Sequence, residues 1–295
     1  MLNHDYRINE LVASGYSTDI YSATNVRIES PVAIKVLRPE FLLNKFAREI
    51  AAATNSMRLE AEVMVRIDHP NVLKVYEFAS GDGFPYVVME FLDCDNMETV
   101  LMRDGPLAHP RFLQLFNQLC DAMNAVHEKG IVHRDLKPAN FLIARSSEPL
   151  LKLTGFKICQ SNDAKSGRQT LEGELVGTPP YMSPEQCLAS KPVDNRSDIY
   201  SLGCCMYEAL TGSLPFIGST MFDTMTKHLA ERPQPFVDQN SAFAKVQAVV
   251  LRCLEKDAAD RFQSMQQVQR ALVGVPVKIK PSAALRGLEN DKELQ

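Results

Sequence analysis

The chain has 295 residues, of which 45% are hydrophobic and 23% charged, a composition typical of a folded globular protein. Its formal net charge of -4 lacks the basic excess of nucleic-acid-binding surfaces. No apolar run approaches the ~20 residues that cross a bilayer. The sequence therefore predicts no nucleic-acid partner and no membrane segment in this chain.

The seven cysteines are scattered along the chain and include no C-x-x-C pair. An odd, dispersed set favours buried free thiols in a reducing compartment over a disulfide framework or a zinc site. The chain starts with the polar stretch MLNHDYRINE, which is not typical of a signal peptide. We therefore expect a cytoplasmic location.

The first third of the chain is rich in predicted strands. Two stretches, INELVASGYSTDIYSATNV (residues 8–26) and PVAIKVLR (residues 31–38), predict strands joined by turns. In the second stretch Val32, Ile34 and Val36 recur with the period of two that is typical of a strand. A later stretch, residues 71–92, predicts a hairpin that turns at SGDG.

A helix is predicted between these strands, from about residue 41 to residue 66. Leu59, Val63 and Ile67 are spaced so that they would share one buried face.

Helices dominate after residue 96. One amphipathic helix ending near Gly130 is marked by apolar residues at helical spacing: Phe112, Leu115, Phe116, Leu119, Met123 and Val126. The stretch DIYSLGCCMYEAL, residues 198–210, is apolar on nearly every side, which predicts a helix buried at the centre of the larger lobe. Residues 278–295 are polar and have no apolar face, so they predict a linker or frayed tail. The order of elements predicts a two-lobed α+β architecture.

Five short motifs occur in one order along the chain. The most specific is HRDLKPAN at residues 133–140, and VAIK at residues 32–35 precedes it. GTPPYMSPEQ (177–186), DIYSLG (198–203) and CLEKDAADRF (253–262) follow it. Together they resemble the signature set of a bacterial, Hanks-type Ser/Thr protein kinase domain over roughly residues 6–272.

The resemblance implies a two-lobed protein-kinase fold of class α+β. A small antiparallel β lobe with one long helix would occupy about residues 1–90, and a hinge about residues 90–96. A larger, mainly helical lobe would occupy about residues 97–272 and complete a kinase domain of residues 1–272, followed by a polar tail at 273–295. The implied cofactors are ATP and Mg²⁺ or Mn²⁺. The implied partner is a protein substrate with serine or threonine, and a kinase homodimer is left open.

The resemblance assigns roles within HRDLKPAN. Asp135 matches the residue that orients the substrate hydroxyl and accepts its proton. Lys137 matches the lysine that supports the transferred phosphate. Asn140 matches a metal ligand, because its amide oxygen is a hard donor suited to Mg²⁺.

An ion pair is implied between the strand lysine and the long helix. Lys35 matches the lysine that contacts the α- and β-phosphates of ATP. The family spacing places its acidic partner at Glu60, whereas Glu62 would face another side of the helix and Glu49 is the weaker rival.

The glycine-rich phosphate loop is degraded. The family pattern falls on ASGYSTDI, residues 13–20, and keeps only Gly15. Ala13 and Thr18 add side chains where the backbone should approach phosphate closely. The adenine slot is expected to be framed by residues matched to the family by position: Val12, Ile20, Ala33, Met89, Glu90, Leu92 and Leu142.

The D-F-G motif of the family falls on Gly155, Phe156 and Lys157, so its metal-binding aspartate is missing. No Asp or Glu lies between Glu148 and Asp163, and a small shift of the alignment does not restore the carboxylate. Phe156 is retained and is expected to pack between the lobes, against His133, Met64 and Val75. Loss of the carboxylate predicts an atypical metal site that favours Mn²⁺.

The activation segment would run from about residue 155 to residue 185. Arg134 resembles the arginine that pairs with a phosphorylated residue of this segment. Of its hydroxyl side chains, Ser161, Ser166, Thr170 and Thr178, Thr170 is the expected regulatory phosphosite, while Thr178 is expected to contact the catalytic loop.

Three further residues are matched to structural positions. Glu185 and Arg261 are expected to form a buried ion pair, and Asp198 is expected to hold the backbone of the catalytic loop.

Two functions of different classes follow from these residues. The first is an ATP-dependent Ser/Thr protein kinase with an atypical metal site, supported by the base, the two lysines and a full activation segment. The second is a pseudokinase, a nucleotide-binding or scaffolding module, supported by Gly155, Lys157 and the degraded phosphate loop. A scaffold has no physical use for a base together with a phosphate-contacting lysine, which favours the enzyme.

Overall fold

The structure, a computed structural model of the chain, describes residues 5–81, 84–157, 177–188, 192–236 and 243–273. Its first part is an antiparallel sheet with the strand order β1-β2-β3-β5-β4. The strands are β1 (Tyr6–Ser14), β2 (Thr18–Asn25), β3 (Ser30–Leu37), β4 (Val75–Gly81) and β5 (Phe84–Glu90). The predicted hairpin at residues 71–92 is confirmed as β4 and β5, and residues 82–83 of its predicted turn lie outside the described residues.

The period-two pattern of β3 separates two faces of this sheet. Val32 and Ile34 are buried in a small apolar cluster with Tyr86 and Val88, and Val36 packs against it. Because successive side chains of a strand point to opposite faces, Ala33 and Lys35 face the other side. That side meets the main core and the cleft between the lobes.

The predicted helix at residues 41–66 is two helices, α1 (Pro39–Asn44) and α2 (Ala47–Met64). The chain is extended at Phe46, with φ -69° and ψ 152°, and the Phe46 N–H donates to the Glu49 side chain at 3.2 Å to begin α2. The predicted buried face is correct only in part, because Ile67, just after α2, is buried and Val63 packs against the main core, but the centre of the buried face lies elsewhere. Met57, Ala61 and Met64 are buried, whereas Leu59 and Val63 are only half-buried, because the packing of α2 on the sheet sets its rotation.

The larger lobe is mainly helical. Its elements in chain order are β6 (Cys94–Asn96), α3 (Met97–Asp104), α4 (His109–Glu128), β7 (Phe141–Ala144), β8 (Leu151–Leu153), α5 (Pro184–Leu188), α6 (Asn195–Thr211), α7 (Met221–Ala230), α8 (Ala244–Cys253) and α9 (Met265–Val273). The six apolar residues predicted to mark α4 are all buried, and the helix ends just before Gly130, whose φ is +71°. Residues 197–207 of α6 are all buried, which confirms a central helix.

A second, three-stranded antiparallel sheet lies between the two lobes in the chain order β6-β7-β8. Its first strand falls inside the predicted hinge, so the chain pairs with the larger lobe as soon as it leaves the first sheet. The α+β, two-lobed fold class is thereby confirmed. Within the described residues, no helix is both long enough and apolar enough to cross a membrane, and each described cysteine is a free thiol.

A buried ion pair ties the segment after residue 177 to the end of the larger lobe. Arg261, with 0% exposure, donates to both carboxylate oxygens of Glu185, at 2.8 and 3.0 Å, as predicted. The Ser197 hydroxyl donates to the same carboxylate at 2.6 Å. Burial by itself would raise the pKa of Glu185, but the hydrogen bonds and charge of Arg261 hold that pKa below its usual value.

We expect Arg261→Met to lower the free energy of unfolding by about 3–5 kcal/mol, because it leaves a buried carboxylate without its partner. Urea denaturation at pH 7 measures this loss. The matched control is Glu62→Gln, which breaks an exposed pair with Arg58 and should cost about 0.5 kcal/mol or less.

The loss should also depend on pH. The pKa of folded Glu185 is depressed, so the pair stabilises the fold above the unfolded pKa of about 4.3 and loses that effect as the pH falls through the folded pKa. The difference between the parent and Arg261→Met should therefore shrink below about pH 4. A loss of under about 1 kcal/mol at pH 7 would contradict a stabilising pair.

Candidate active site between the two lobes

A cavity of about 700 Å³ lies between the first sheet and the larger lobe. Its walls are mainly apolar, as expected of a site for a flat organic ring. The sequence-predicted cofactor-binding residues all line it: Val12, Gly15, Ile20, Ala33, Lys35, Glu90, Leu92 and Leu142. Glu60, Met89 and Asn140 line it as well.

The predicted pair of Lys35 and Glu60 is present in this cavity. Lys35 on β3 lies opposite Ile20 on β2 and Val87 on β5, so the sheet fixes its backbone from both sides. Its Nζ donates to Glu60 Oε2 on α2 at 2.6 Å. This contact joins the sheet to the long helix and holds the ammonium at the wall of the cavity.

The two rival acids on α2 have other partners. Glu49 pairs with Lys45 at 3.0 Å, and Glu62 pairs with Arg58 one turn away on the same helix. Both pairs are solvent-exposed, so the spacing argument selected the correct acid.

The hinge is pinned to the larger lobe by ion pairs that the sequence did not reveal. The Glu90 carboxylate accepts from Lys152 Nζ on β8 at 2.7 Å and from the Lys74 N–H at 2.6 Å. Arg145, just after β7, donates to Asp93 at 2.8 Å and to Asp95 at 2.6 Å. The hydrogen bond from Arg145 and a second one from Arg103 hold the pKa of Asp95 at about 2.

The catalytic-loop motif is held by Asp198, as predicted. The carboxylate of Asp198, on α6, accepts from the backbone N–H groups of His133 and Arg134, each at 2.9 Å, and lies 2.8 Å from His127 Nε2. Arg134 has φ +67°, a conformation that a non-glycine residue adopts only when its surroundings impose it. Burial lowers the pKa of His133, which keeps the ring neutral, and its Nε2–H donates to the Thr154 carbonyl at 3.0 Å.

Three side chains meet beyond this anchor. Lys137 Nζ lies 3.0 Å from Asp135 Oδ2 and donates to Thr178 Oγ1 at 2.8 Å. The Thr178 hydroxyl in turn donates to Asp135 Oδ1 at 2.8 Å. Thr178 thus contacts the catalytic loop as predicted. The Thr178 hydroxyl bonds both to the Asp135 carboxylate and to the Lys137 ammonium. These contacts hold the Asp135 carboxylate in one orientation.

Asn140 occupies the space beside Gly155. Its Nδ2 donates to the Asp135 carbonyl at 2.7 Å, so Oδ1 is the remaining polar atom of a side chain that lines the cavity. Gly155 has φ +79°, and a Cβ at this position would lie 2.5 Å from Asn140 Cγ and Oδ1. Any side chain at residue 155 therefore requires Asn140 to shift. The steric obstacle to a carboxylate here is Asn140, while the Lys157 side chain is exposed.

Phe156 lies where the sequence predicted. Its ring is 3% exposed and packs against His133 with 4.4 Å between ring centroids, in the same core cluster as Met64 and Val75. The Lys157 N–H donates to the His133 carbonyl at 3.1 Å. Three of the hydroxyl residues predicted for the activation segment, Ser161, Ser166 and Thr170, lie outside the described residues.

Metal-ligating side chains are sparse around the cavity. Among the described residues, no group of three or more His, Cys, Asp or Glu side chains could hold a metal ion. Within the catalytic-loop motif, the side-chain oxygens available to a metal ion are Oδ1 of Asn140 and the Asp135 carboxylate, which Lys137 and Thr178 already contact. This donor set fits a single hard cation that keeps several water ligands better than a fully protein-ligated ion.

Comparison with known proteins gives a consistent result. The family model described as protein kinase domain matches residues 6–273. Serine/threonine-protein kinase PknB of Mycolicibacterium smegmatis is 32% identical over 287 residues, covering 96% of this chain and 44% of the relative. The protein of the same name in Mycobacterium tuberculosis is 32% identical over 279 residues, covering 93% of this chain and 43% of the relative. The chain thus spans less than half the length of these relatives.

We expect Gly155→Ala to lower the free energy of unfolding by about 2–4 kcal/mol. About 1–2 kcal/mol comes from placing a Cβ at positive φ and the remainder from the contact with Asn140. The matched control is Gly130→Ala, since Gly130 has φ +71° but no atom within 4 Å of its added Cβ. Urea denaturation measures both.

The excess loss at residue 155 should disappear when Asn140 is replaced by alanine in a double-mutant cycle. Equal losses for the two glycine variants would mean that Asn140 moves aside without cost.

Proposed function

Because this chain belongs to the protein kinase domain family, we propose that it transfers a phosphoryl group from ATP to serine or threonine side chains of proteins. The observation that carries the proposal is the contact between Asp135, Lys137 and Thr178 beside the cavity that Lys35 lines. A carboxylate, two cations and a cavity for a nucleotide then lie in one cleft.

Each of these groups has a separate task. Asp135 accepts the proton of the incoming hydroxyl, and the hydrogen bond from Thr178 fixes which of its oxygens faces the substrate. Lys137 places a positive charge beside that carboxylate, where charge develops on the transferred phosphoryl group. Lys35, held by Glu60, provides the second cation on the opposite wall of the cavity.

The residues present fit ATP well and a metal ion less well. The apolar walls around Ala33, Met89 and Leu142 suit the adenine ring. For the metal, we propose that Asn140 Oδ1 is the chief protein ligand, with water and phosphate oxygens completing the shell. A bound divalent ion would supply Lewis-acid neutralisation of the phosphates, which is worth several kcal/mol.

Absence of a carboxylate at Gly155 has a kinetic consequence. Since about 1.4 kcal/mol corresponds to a tenfold change in rate, an uncompensated loss of several kcal/mol slows transfer by roughly two to four orders of magnitude. Mn²⁺ binds mixed nitrogen and oxygen sites generally more tightly than Mg²⁺ does, so we propose that it supports the reaction better.

A pseudokinase is the second candidate, and Gly155 is the observation that favours it. In that case the chain would bind a nucleotide, or only other proteins, without transfer. The protein substrate and a homodimer of kinase domains remain proposals, since the chain corresponds to under half the length of the relatives it matches.

We expect the purified chain to incorporate label from γ-³²P-ATP, with more incorporation in Mn²⁺ than in equal Mg²⁺. Asp135→Asn should lower incorporation by at least about 100-fold, because it removes the general base. Lys35→Met should abolish transfer while weakening nucleotide binding only modestly, since its contact matters most as charge develops on the phosphates.

The two variants also identify a false positive. Label that survives in both would come from a contaminant or from other residues. A parent chain that binds ADP yet incorporates no label in either metal would establish the pseudokinase.

We expect phosphopeptide mapping to find Thr170 first among the labelled residues. A phosphate there brings about -1.5 to -2 charges toward Arg134, and the resulting charge-assisted hydrogen bonds would order the segment. Thr170→Ala should lower activity toward an added substrate by about tenfold.

Thr178 should behave differently. Thr178→Ala should cripple the enzyme whatever its phosphorylation state, whereas Thr178→Ser keeps the hydroxyl and should keep most of the activity. Full activity of Thr170→Ala, with label elsewhere, would contradict the regulatory role.

A further inference from the structure

Residues 13–20, the phosphate loop, form the tip of the hairpin between β1 and β2. The loop retains Gly15, whose N–H donates to the Thr18 carbonyl at 2.8 Å. A Cβ on Gly15 would lie 3.3 Å from that carbonyl oxygen, a tight contact that a small shift of the turn would relieve. The flanking positions carry Ala13 and Thr18, so the loop must be shaped by something other than glycine.

Arg38, directly after β3, makes two hydrogen bonds to the back of this loop. Its backbone N–H donates to the Ser17 carbonyl at 2.9 Å, and its Nη1 donates to the Gly15 carbonyl at 3.0 Å. The first bond continues the β2–β3 pairing, in which Thr18 lies opposite Leu37. The second comes from a charged side chain and is the stronger type of hydrogen bond.

These two bonds fix two peptide planes. In a planar trans peptide the C=O and the following N–H point in opposite directions. With the carbonyls of Gly15 and Ser17 directed at Arg38, the N–H groups of Tyr16 and Thr18 are directed away from it. Gly15 and Thr18 line the cavity, whereas Tyr16, Ser17 and Arg38 are not among the described residues that do, so Arg38 holds the loop from outside the cavity.

The guanidinium is itself held in place. Its Nε lies 3.6 Å from the carboxylate of Asp19, which is 6% exposed and accepts from the Ser14 hydroxyl at 2.6 Å. Glu40 lies 3.5 Å from the same Nε. Neither contact is a hydrogen bond, because Arg38 Nε has no hydrogen-bond partner among the described residues, so the two carboxylates restrain the guanidinium through charge alone.

The tip of the loop rests on α1. The ring of Tyr16 meets the ring of Phe41 edge to face, with 6.1 Å between centroids. This contact restrains the turn next to the peptide plane that Arg38 fixes. Both supports come from residues 38–44, a segment that shares no lining position with the cavity among the described residues.

We infer that Arg38 is a positioning residue that, through the carbonyls of Gly15 and Ser17, holds the phosphate loop in the shape that binds the phosphates of a nucleotide, in place of the missing loop glycines. The inference rests on the nucleotide binding of the proposed function. Backbone N–H groups that are oriented before binding require no reorganisation when an anion arrives, which is the advantage of a preorganised site.

The test compares ADP with adenosine, because adenosine fills the same cavity but has no phosphate for the loop to bind. Isothermal titration measures both ligands against the parent chain and Arg38→Ala. We expect ADP affinity to fall about tenfold and adenosine affinity to stay within about twofold. Arg27→Ala, which removes an exposed arginine that lies in the turn between β2 and β3 and pairs with Asp5, is the matched control and should change neither.

Measurement at high salt distinguishes the effect of the Arg38 hydrogen bonds on ADP affinity from the effect of its charge. In 1 M NaCl the Debye length is about 3 Å, so a simple charge effect of Arg38 on the phosphates is screened. The ratio of ADP affinities between the parent and Arg38→Ala should persist there.

Three results would overturn the inference alone: unchanged ADP affinity in Arg38→Ala, equal losses for ADP and adenosine, or a ratio that vanishes in 1 M salt. A parent chain that binds neither ligand would instead overturn the nucleotide binding on which the proposed function depends, and this inference with it.

Discussion

The carboxylate of Asp198 is buried on the central helix α6 and accepts hydrogen bonds from two consecutive backbone N–H groups, those of His133 and Arg134. A buried charge is tolerated only where donors satisfy it, so these N–H groups are constrained to lie where the carboxylate is. The strained backbone of Arg134 is the local consequence. Asp135 follows at once, and its position is therefore set by the core of the larger lobe.

Further contacts carry this constraint outward. The His133 carbonyl accepts from the Lys157 N–H, and the His133 ring packs on Phe156, so the segment after β8 is positioned by the same anchor. On the other side the pair of Glu185 and Arg261 holds the chain that follows Thr178. Asp135 and Thr178 thus come from two different segments. The first segment is held by the buried Asp198 carboxylate, and the second is followed by the buried pair of Glu185 and Arg261.

The cleft has a different character on the side of the first sheet. Lys35 and Glu60 join the sheet to α2, and Arg38 supports the phosphate loop from behind. The hydrogen bond from the Arg38 side chain compensates for the glycines that are missing at positions 13 and 18 of the phosphate loop. Such a bond is directional, but it is less adaptable than a glycine backbone. Residue 155 shows the opposite replacement, because a glycine stands where the family has an aspartate. The Asn140 amide fills the space that this glycine leaves.

The sequence by itself determined the family, the order of the lobes and the pairing of residues whose spacing is fixed by short motifs. Asp135, Lys137 and Asn140 lie within eight consecutive residues, and Glu60 was chosen over Glu49 and Glu62 by counting along the chain. Such assignments succeed because local spacing within one element translates directly into geometry.

Only the tertiary structure decided what depends on contacts between distant segments. The break between α1 and α2 and the rotation of α2 follow from packing against the sheet, which periodicity does not specify. Asn140 lies directly beside Gly155, and Arg38 bonds to the phosphate loop. Both contacts join residues that are 15 or more apart in the sequence. Their positions are set by the sheet register and by the buried anchor at Asp198, and neither can be read from a window of sequence.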